Sequence, residues 1–213
     1  MAQVKHSRLI ALGCSHTYGH GLEDCFVPPH GYGPNPSIHA WPNKLAQLLK
    51  IETVVNLALP GCSNKYILHS ATTFNFQPDD LVIALWTYND RTGIFKSNED
   101  YHVIAHWDDN KYSKKFIKSY YSDYDISWQN SIYVEYLRLS LEQQNIAYFY
   151  DFLEEHRSND PCFLDLKFNE HRKNYGLSLD GFHMDSLGHA AWAEQWYKAI
   201  QAHHTPESSI SNH

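Results

Sequence analysis

No stretch of the sequence is apolar over the length that crosses a bilayer. Its first apolar run, Leu9 to Leu12, follows a basic residue but is far too short for a signal-peptide core. The chain is therefore expected to have neither a membrane span nor a cleaved leader, and to be cytoplasmic or delivered by a non-classical route. Positive charge is scarce: 17 Lys and Arg against 24 Asp and Glu give a formal charge of −7. Such a chain has no general attraction to phosphate backbones, and its one basic cluster, Lys111 to Lys118, is flanked by acids and reads as a solvated face. Nucleic acid is not expected as a partner. The four cysteines, Cys14, Cys25, Cys62 and Cys162, lack CxxC or metal-finger spacing and are expected to be free thiols. The fifteen histidines include no HExxH. His16, His20, His30 and His39, with Asp24 among them, are weighed as metal ligands and set aside, so no metal and no cofactor is expected.

What is present is one domain's worth of alternating elements. Arg8 to Gly13 reads as a buried strand ending at a small-residue corner. Four prolines and two glycines between Cys25 and His39 make a loop. Trp41, Leu45, Leu48 and Leu49 recur at helical spacing, and Thr53 to Leu59 reads as a strand. After the Pro60-Gly61 corner come a helix over Asn64 to Phe74 and a buried strand over Leu81 to Trp86. From Gly93 to Asp125 the chain is polar and weakly periodic and reads as an inserted lobe, assigned to about 93–126. Ile132 to Leu141 forms an amphipathic helix, Ile146 to Phe152 a strand, and Leu187 to Ile200 a last helix. Residues 1–202 make one domain, followed by a frayed tail over 203–213. Strands alternating with helices specify an α/β fold with a central parallel sheet between helical layers.

In such sheets ligands bind beyond the carboxyl ends of the strands. Three polar corners fall there: Gly13-Cys14-Ser15, Pro60-Gly61-Cys62 and Thr87-Tyr88-Asn89-Asp90. Acyl transfer needs a hydroxyl nucleophile, a base, a group fixing the base's tautomer, and donors for an oxyanion. Ser15 can be the nucleophile. Asp180 and His183, in the run DGFH before the last helix, can supply the orienting carboxylate and the base from one short loop. The N–H groups of Ser15 and Gly61 and the amide of Asn89 can surround the oxyanion.

These residues also carry a resemblance. LIALGCSHTYG resembles the first block of the SGNH/GDSL hydrolases in a Gly-Cys-Ser form, NLALPG the second, LVIALWTYND the third and DGFHMDSLGHAAWA the last, in the family's order from Leu9 to Ala193. Two positions depart from the familiar pattern: Cys14 stands where the family has an acid, and Thr87 where it has a glycine. The resemblance implies a three-layer, flavodoxin-like α/β/α hydrolase fold. It also implies metal-independent cleavage of a small-molecule or carbohydrate ester through an acyl-Ser15 intermediate. Ser15, Asp180 and His183 would be catalytic; Ser15, Gly61 and Asn89 would form the oxyanion hole.

Each residue also has a plainer reading. Ser15 can cap a turn, Gly61 can supply a positive φ, Asn64 can cap a helix, Asn89 can end a strand, and His183 and His189 can pack. Two further readings are a catalytically inactive binding module on the same fold and a thiol enzyme using Cys14. Substrate identity and oligomeric state are not written in the sequence.

Overall fold

A computed structural model describes residues 6–204 except 99 and 157. Strand β1 (Arg8–Leu12) leads into a single helical turn, α1 (Ser15–Tyr18). The proline-rich loop that follows holds a small antiparallel hairpin, β2 (Phe26–Val27) with β3 (Gly31–Tyr32). Then come α2 (Trp41–Leu49), β4 (Thr53–Asn56), α3 (Asn64–Thr73) and β5 (Asp80–Trp86). The expected lobe is a second hairpin, β6 (Arg91–Phe95) with β7 (Tyr101–Ala105), and a helix, α4 (Lys111–Tyr120). The long helix α5 (Asp123–Gln143), strand β8 (Ala147–Phe152), short α6 (Phe168–Arg172) and α7 (Ser186–His204) complete the chain. The last helix includes 203 and 204, which the sequence assigned to the tail; residues 205–213 lie outside the described residues.

The central sheet is parallel, in the order β4-β1-β5-β8. Its two middle strands are continuous apolar runs because both faces are covered by helices: β5 is buried at every position, and Leu9 to Leu12 of β1 likewise. On one face α2 packs against α7, with Trp41 and Trp196 stacked at 5.5 Å. On the other α3 packs against α5, whose buried Ile126, Asn130, Val134, Leu137 and Leu141 fall at helical spacing. This is the expected α/β architecture with a central parallel sheet.

The carboxyl ends of all four strands point to one edge, where β1 turns into α1, β4 into the Pro60-Gly61 corner and β5 into Thr87 to Asp90. The four cysteines are free. Among the described residues no helix is long and apolar enough to cross a membrane.

Candidate active site

Gly13 turns the chain at the end of β1. A Cβ there would strike the Thr17 side chain and lie 3.2 Å from the Leu85 carbonyl oxygen, so the corner closes only with glycine. Ser15 follows as the first residue of α1 and is 9 % exposed. Its Oγ meets Cys14 Sγ at 3.9 Å. Among the described residues its N–H and that of Gly61 find no acceptor, as expected for the first N–H of a helix and for a turn apex. Gly61 takes φ +75°, and the Trp107 ring of the lobe comes within 3.6 Å of where its Cβ would stand. The hairpin that carries the lobe is pinned beside this corner, because Tyr101 Oη donates to Ser63 Oγ at 2.8 Å and accepts from the Ser63 N–H at 3.0 Å.

The loop between α6 and α7 brings Asp180 and His183 together. Asp180 Oδ1 accepts from Ser178 Oγ (2.9 Å) and from the N–H groups of Phe182 (2.8 Å) and His183 (3.1 Å). Its Oδ2 lies 2.5 Å from His183 Nδ1. The loop is fixed to the turn after α1: the Leu179 N–H donates to the Gly21 carbonyl at 3.0 Å, and a Cβ on Gly21, itself at φ +90°, would lie 2.8 Å from Asp180 Oδ2. From the other side Arg172 of α6 donates to the Phe182 carbonyl (3.3 Å) and to Tyr88 Oη (3.2 Å).

Burial acts to raise the Asp180 carboxyl, but the N–H groups of Phe182 and His183 and the imidazole outweigh it and hold the carboxyl at about 2. Burial lowers His183 below its usual value despite the neighbouring carboxylate, so the ring is neutral at pH 7. An ionised carboxylate only accepts hydrogen bonds; the single proton of the neutral ring therefore sits on Nδ1 and leaves a lone pair on Nε2. Two further histidines crowd this ring. His16, strongly lowered by burial, stands 4.6 Å away between centroids, with its other side on Phe168 at 4.8 Å. His20 stands 4.9 Å away, with Nε2 3.9 Å from Asp180 Oδ2 and 3.2 Å from the Gly31 carbonyl oxygen.

The structure thus sets Asp180 against His183 and packs their loop on the turn that follows Ser15. It does not join Ser15 to His183: no hydrogen bond links them among the described residues. Asn89 is committed elsewhere. Its Oδ1 accepts from Asn130 Nδ2 (2.6 Å), its N–H donates to Glu154 (3.2 Å), and its carbonyl accepts from Tyr121 Oη (3.1 Å). It lines a cavity of about 640 Å³ between α5 and β8 that does not include Ser15, Gly61 or His183. Asn64 does not cap α3; its carboxamide clasps the backbone of Thr87, giving to the carbonyl at 3.0 Å and taking from the N–H at 2.7 Å. His189 is fully buried and accepts from the Trp41 N–H at 3.2 Å, a packing role. The sequence reading missed Arg172, which clamps the loop of the dyad, and it set His20 aside. These residues reach the site through tertiary contacts that no local spacing announces.

Neither a protein-family model nor a curated protein matches the chain. Solved structures do. A carbohydrate esterase, described as displaying divergent catalytic and non-catalytic binding functions, is 12 % identical; the match covers 94 % of this chain and 70 % of that one at a TM-score of 0.57. Two catalytic mutants of Axe2, an acetylxylan esterase from Geobacillus stearothermophilus, are 15 % and 16 % identical over 94 % of this chain and 96 % of theirs, at TM-scores of 0.51 and 0.52. At such identities the likeness is one of fold.

Proposed function

We propose that this chain is a serine hydrolase of the SGNH/GDSL type that cleaves a short-chain ester of a small molecule or carbohydrate. The observation that carries the reading is the Asp180–His183 pair, 2.5 Å apart and packed on the turn that follows Ser15 at the carboxyl edge of a parallel sheet. The structural neighbours support it, since the mutants of the acetylxylan esterase that are described as catalytic replace a serine, an aspartate and a histidine.

His183 Nε2 takes the proton of Ser15 Oγ as the oxygen attacks the ester carbonyl, and Asp180 stabilises the imidazolium that forms. The N–H groups of Ser15 and Gly61 receive the oxyanion, each donor contributing about 3 kcal/mol to the transition state. The third donor offered by the sequence, Asn89 Nδ2, belongs to a carboxamide held by Asn130 on a separate cavity, so the oxyanion rests on the two N–H groups alone. The intermediate collapses when His183 returns the proton to the leaving alcohol. Water, deprotonated by the same nitrogen, then releases the acid from Ser15. Reaction requires Ser15 Oγ, which meets Cys14 Sγ at 3.9 Å, to come within hydrogen-bond reach of His183 Nε2 in the substrate complex.

A second reading, a binding module on this fold, is favoured by that missing Ser15–His183 bond. Intact-mass labelling with a fluorophosphonate separates the two. One adduct on the native chain and none on Ser15→Ala supports the hydrolase; a folded native chain that takes no adduct and turns over no short-chain ester overturns it.

A further inference from the structure

Three donor atoms converge where the sequence had set metal aside. His20, Asp180 and His183 each offer a ligand atom within 4.8 Å of the others. Asp180 Oδ2 stands between the two rings, 2.5 Å from His183 Nδ1 and 3.9 Å from His20 Nε2. Ligands around a tetrahedral zinc, with bonds near 2.0–2.1 Å, lie roughly 3.3 Å apart, so separations of 2.5 Å, 3.9 Å and at most 4.8 Å must change by roughly 0.6–1.5 Å to bring the three onto one ion. The carboxylate is already aimed for that purpose. Ser178 and the N–H groups of Phe182 and His183 occupy Oδ1 and leave Oδ2 to the imidazoles, the outer-layer arrangement that orients a ligating carboxylate. Asp180 is buried, its side chain 2 % exposed, whereas the two rings keep 14 % and 15 %, so solvent reaches the imidazoles.

We propose that His20, Asp180 and His183 form a zinc site that switches the catalytic dyad off. Two imidazoles and a carboxylate suit Zn²⁺. The ion replaces the proton that His183 Nδ1 shares with Asp180, and His20 Nε2 exchanges its Gly31 carbonyl contact for the metal. A neutral imidazole carries one N–H proton. Once Nδ1 holds zinc, that proton is confined to Nε2, the nitrogen that must accept from Ser15. The bound ion thus removes the base without touching the nucleophile. Binding itself stands on geometry alone, while the inhibitory consequence rests on the hydrolase reading.

The test uses the full chain stripped with a chelator. Zinc sulfate is titrated against a chromophoric competitor, and Co²⁺ reports the ligand set by its visible absorption. The native chain should bind one ion. His20→Ala should weaken binding roughly tenfold or more, at least the effect of losing an outer-layer partner, with its fold checked by circular dichroism. His102→Ala, which removes an exposed imidazole beside Asp100, should leave affinity unchanged. Equal affinity in the native chain and His20→Ala, or no uptake at micromolar zinc, overturns the site. Fluorophosphonate labelling is then followed with and without zinc, each protein against its own metal-free rate. Zinc should slow labelling of the native chain reversibly and that of His20→Ala far less. Zinc bound through His20 with labelling unaffected overturns the switch. A metal-free native chain that binds zinc but never labels refutes the hydrolase reading and leaves the metal site standing.

Discussion

Replacing Asp180 by asparagine changes one atom and should separate the two things that residue does. The carboxylate accepts four hydrogen bonds, three at Oδ1 and one at Oδ2. An asparagine can keep its oxygen at the Oδ1 position and hold the loop, but it then presents an NH₂ group where Oδ2 was. That group donates, so His183 Nδ1 must become an acceptor and its proton moves to Nε2. The base is lost although the ring stays in place. Turnover should fall about ten-thousand-fold, the size of effect seen when a triad aspartate becomes asparagine in other serine hydrolases. The cost in stability is smaller. A carboxyl held at about 2 instead of 3.8 is worth about 2 kcal/mol at neutral pH. That agrees with the loss of one charge-assisted bond, and it corresponds to a melting temperature lower by about 4–8 °C in a chain of this size. The sign follows from the depressed value: the contribution is complete above about pH 4 and disappears as pH falls through about 2. Short-chain ester hydrolysis and thermal melts followed by circular dichroism, both across pH, measure the two effects. Hydrolysis within about tenfold of the native rate, in a variant that melts at the expected temperature, would refute the tautomer argument.

Two further outcomes follow from the same loop. Gly21→Ala places a Cβ 2.8 Å from Asp180 Oδ2 at a backbone φ of +90°; it should cost about 1–3 kcal/mol in a denaturant titration and reduce hydrolysis together with stability, and native behaviour in both would show that the turn is free to move. Because burial lowers His183 below its ordinary 6.5, hydrolysis should stay level as pH falls through neutrality and decline only below that value; an acid limb centred at or above 6.5 in a kcat/KM profile would contradict a buried, neutral base.

The central sheet was legible because its middle strands are covered on both faces and so appear as unbroken apolar runs, LIAL and LVIALW. The lobe was not, for the converse reason. In α4 only Ser113 is buried, so its apolar and aromatic residues, Tyr112, Phe116, Ile117 and Tyr120 among six polar ones, make no run of the kind that marks a core strand. The start of α5 was legible in principle: Ser122 caps it through the Asp125 N–H, and acids fill its first turn. Reading from Ile132 onward followed apolar periodicity and passed over that polar beginning. Asp180 and His183 stand three apart and a turn brings them together, so a local pattern sufficed. The approach of His20, the clamp of Arg172 and the commitment of Asn89 to Asn130 depend on how distant segments pack, which no window of sequence contains.

The loop holding Asp180 and His183 is joined directly to α7, the helix that covers α2 and stacks Trp196 on Trp41. This part follows every strand of the sheet in the chain. All four strands of the sheet are complete by Phe152, yet α2 lacks its partner helix and the Asp180–His183 pair is absent until the segment beyond α6 is added. Docking that segment covers α2 and sets the Asp180–His183 pair on the turn that follows Ser15 in one event. Cover for α2 and placement of the Asp180–His183 pair therefore depend on one segment, and a change that loosens α7 should disturb both.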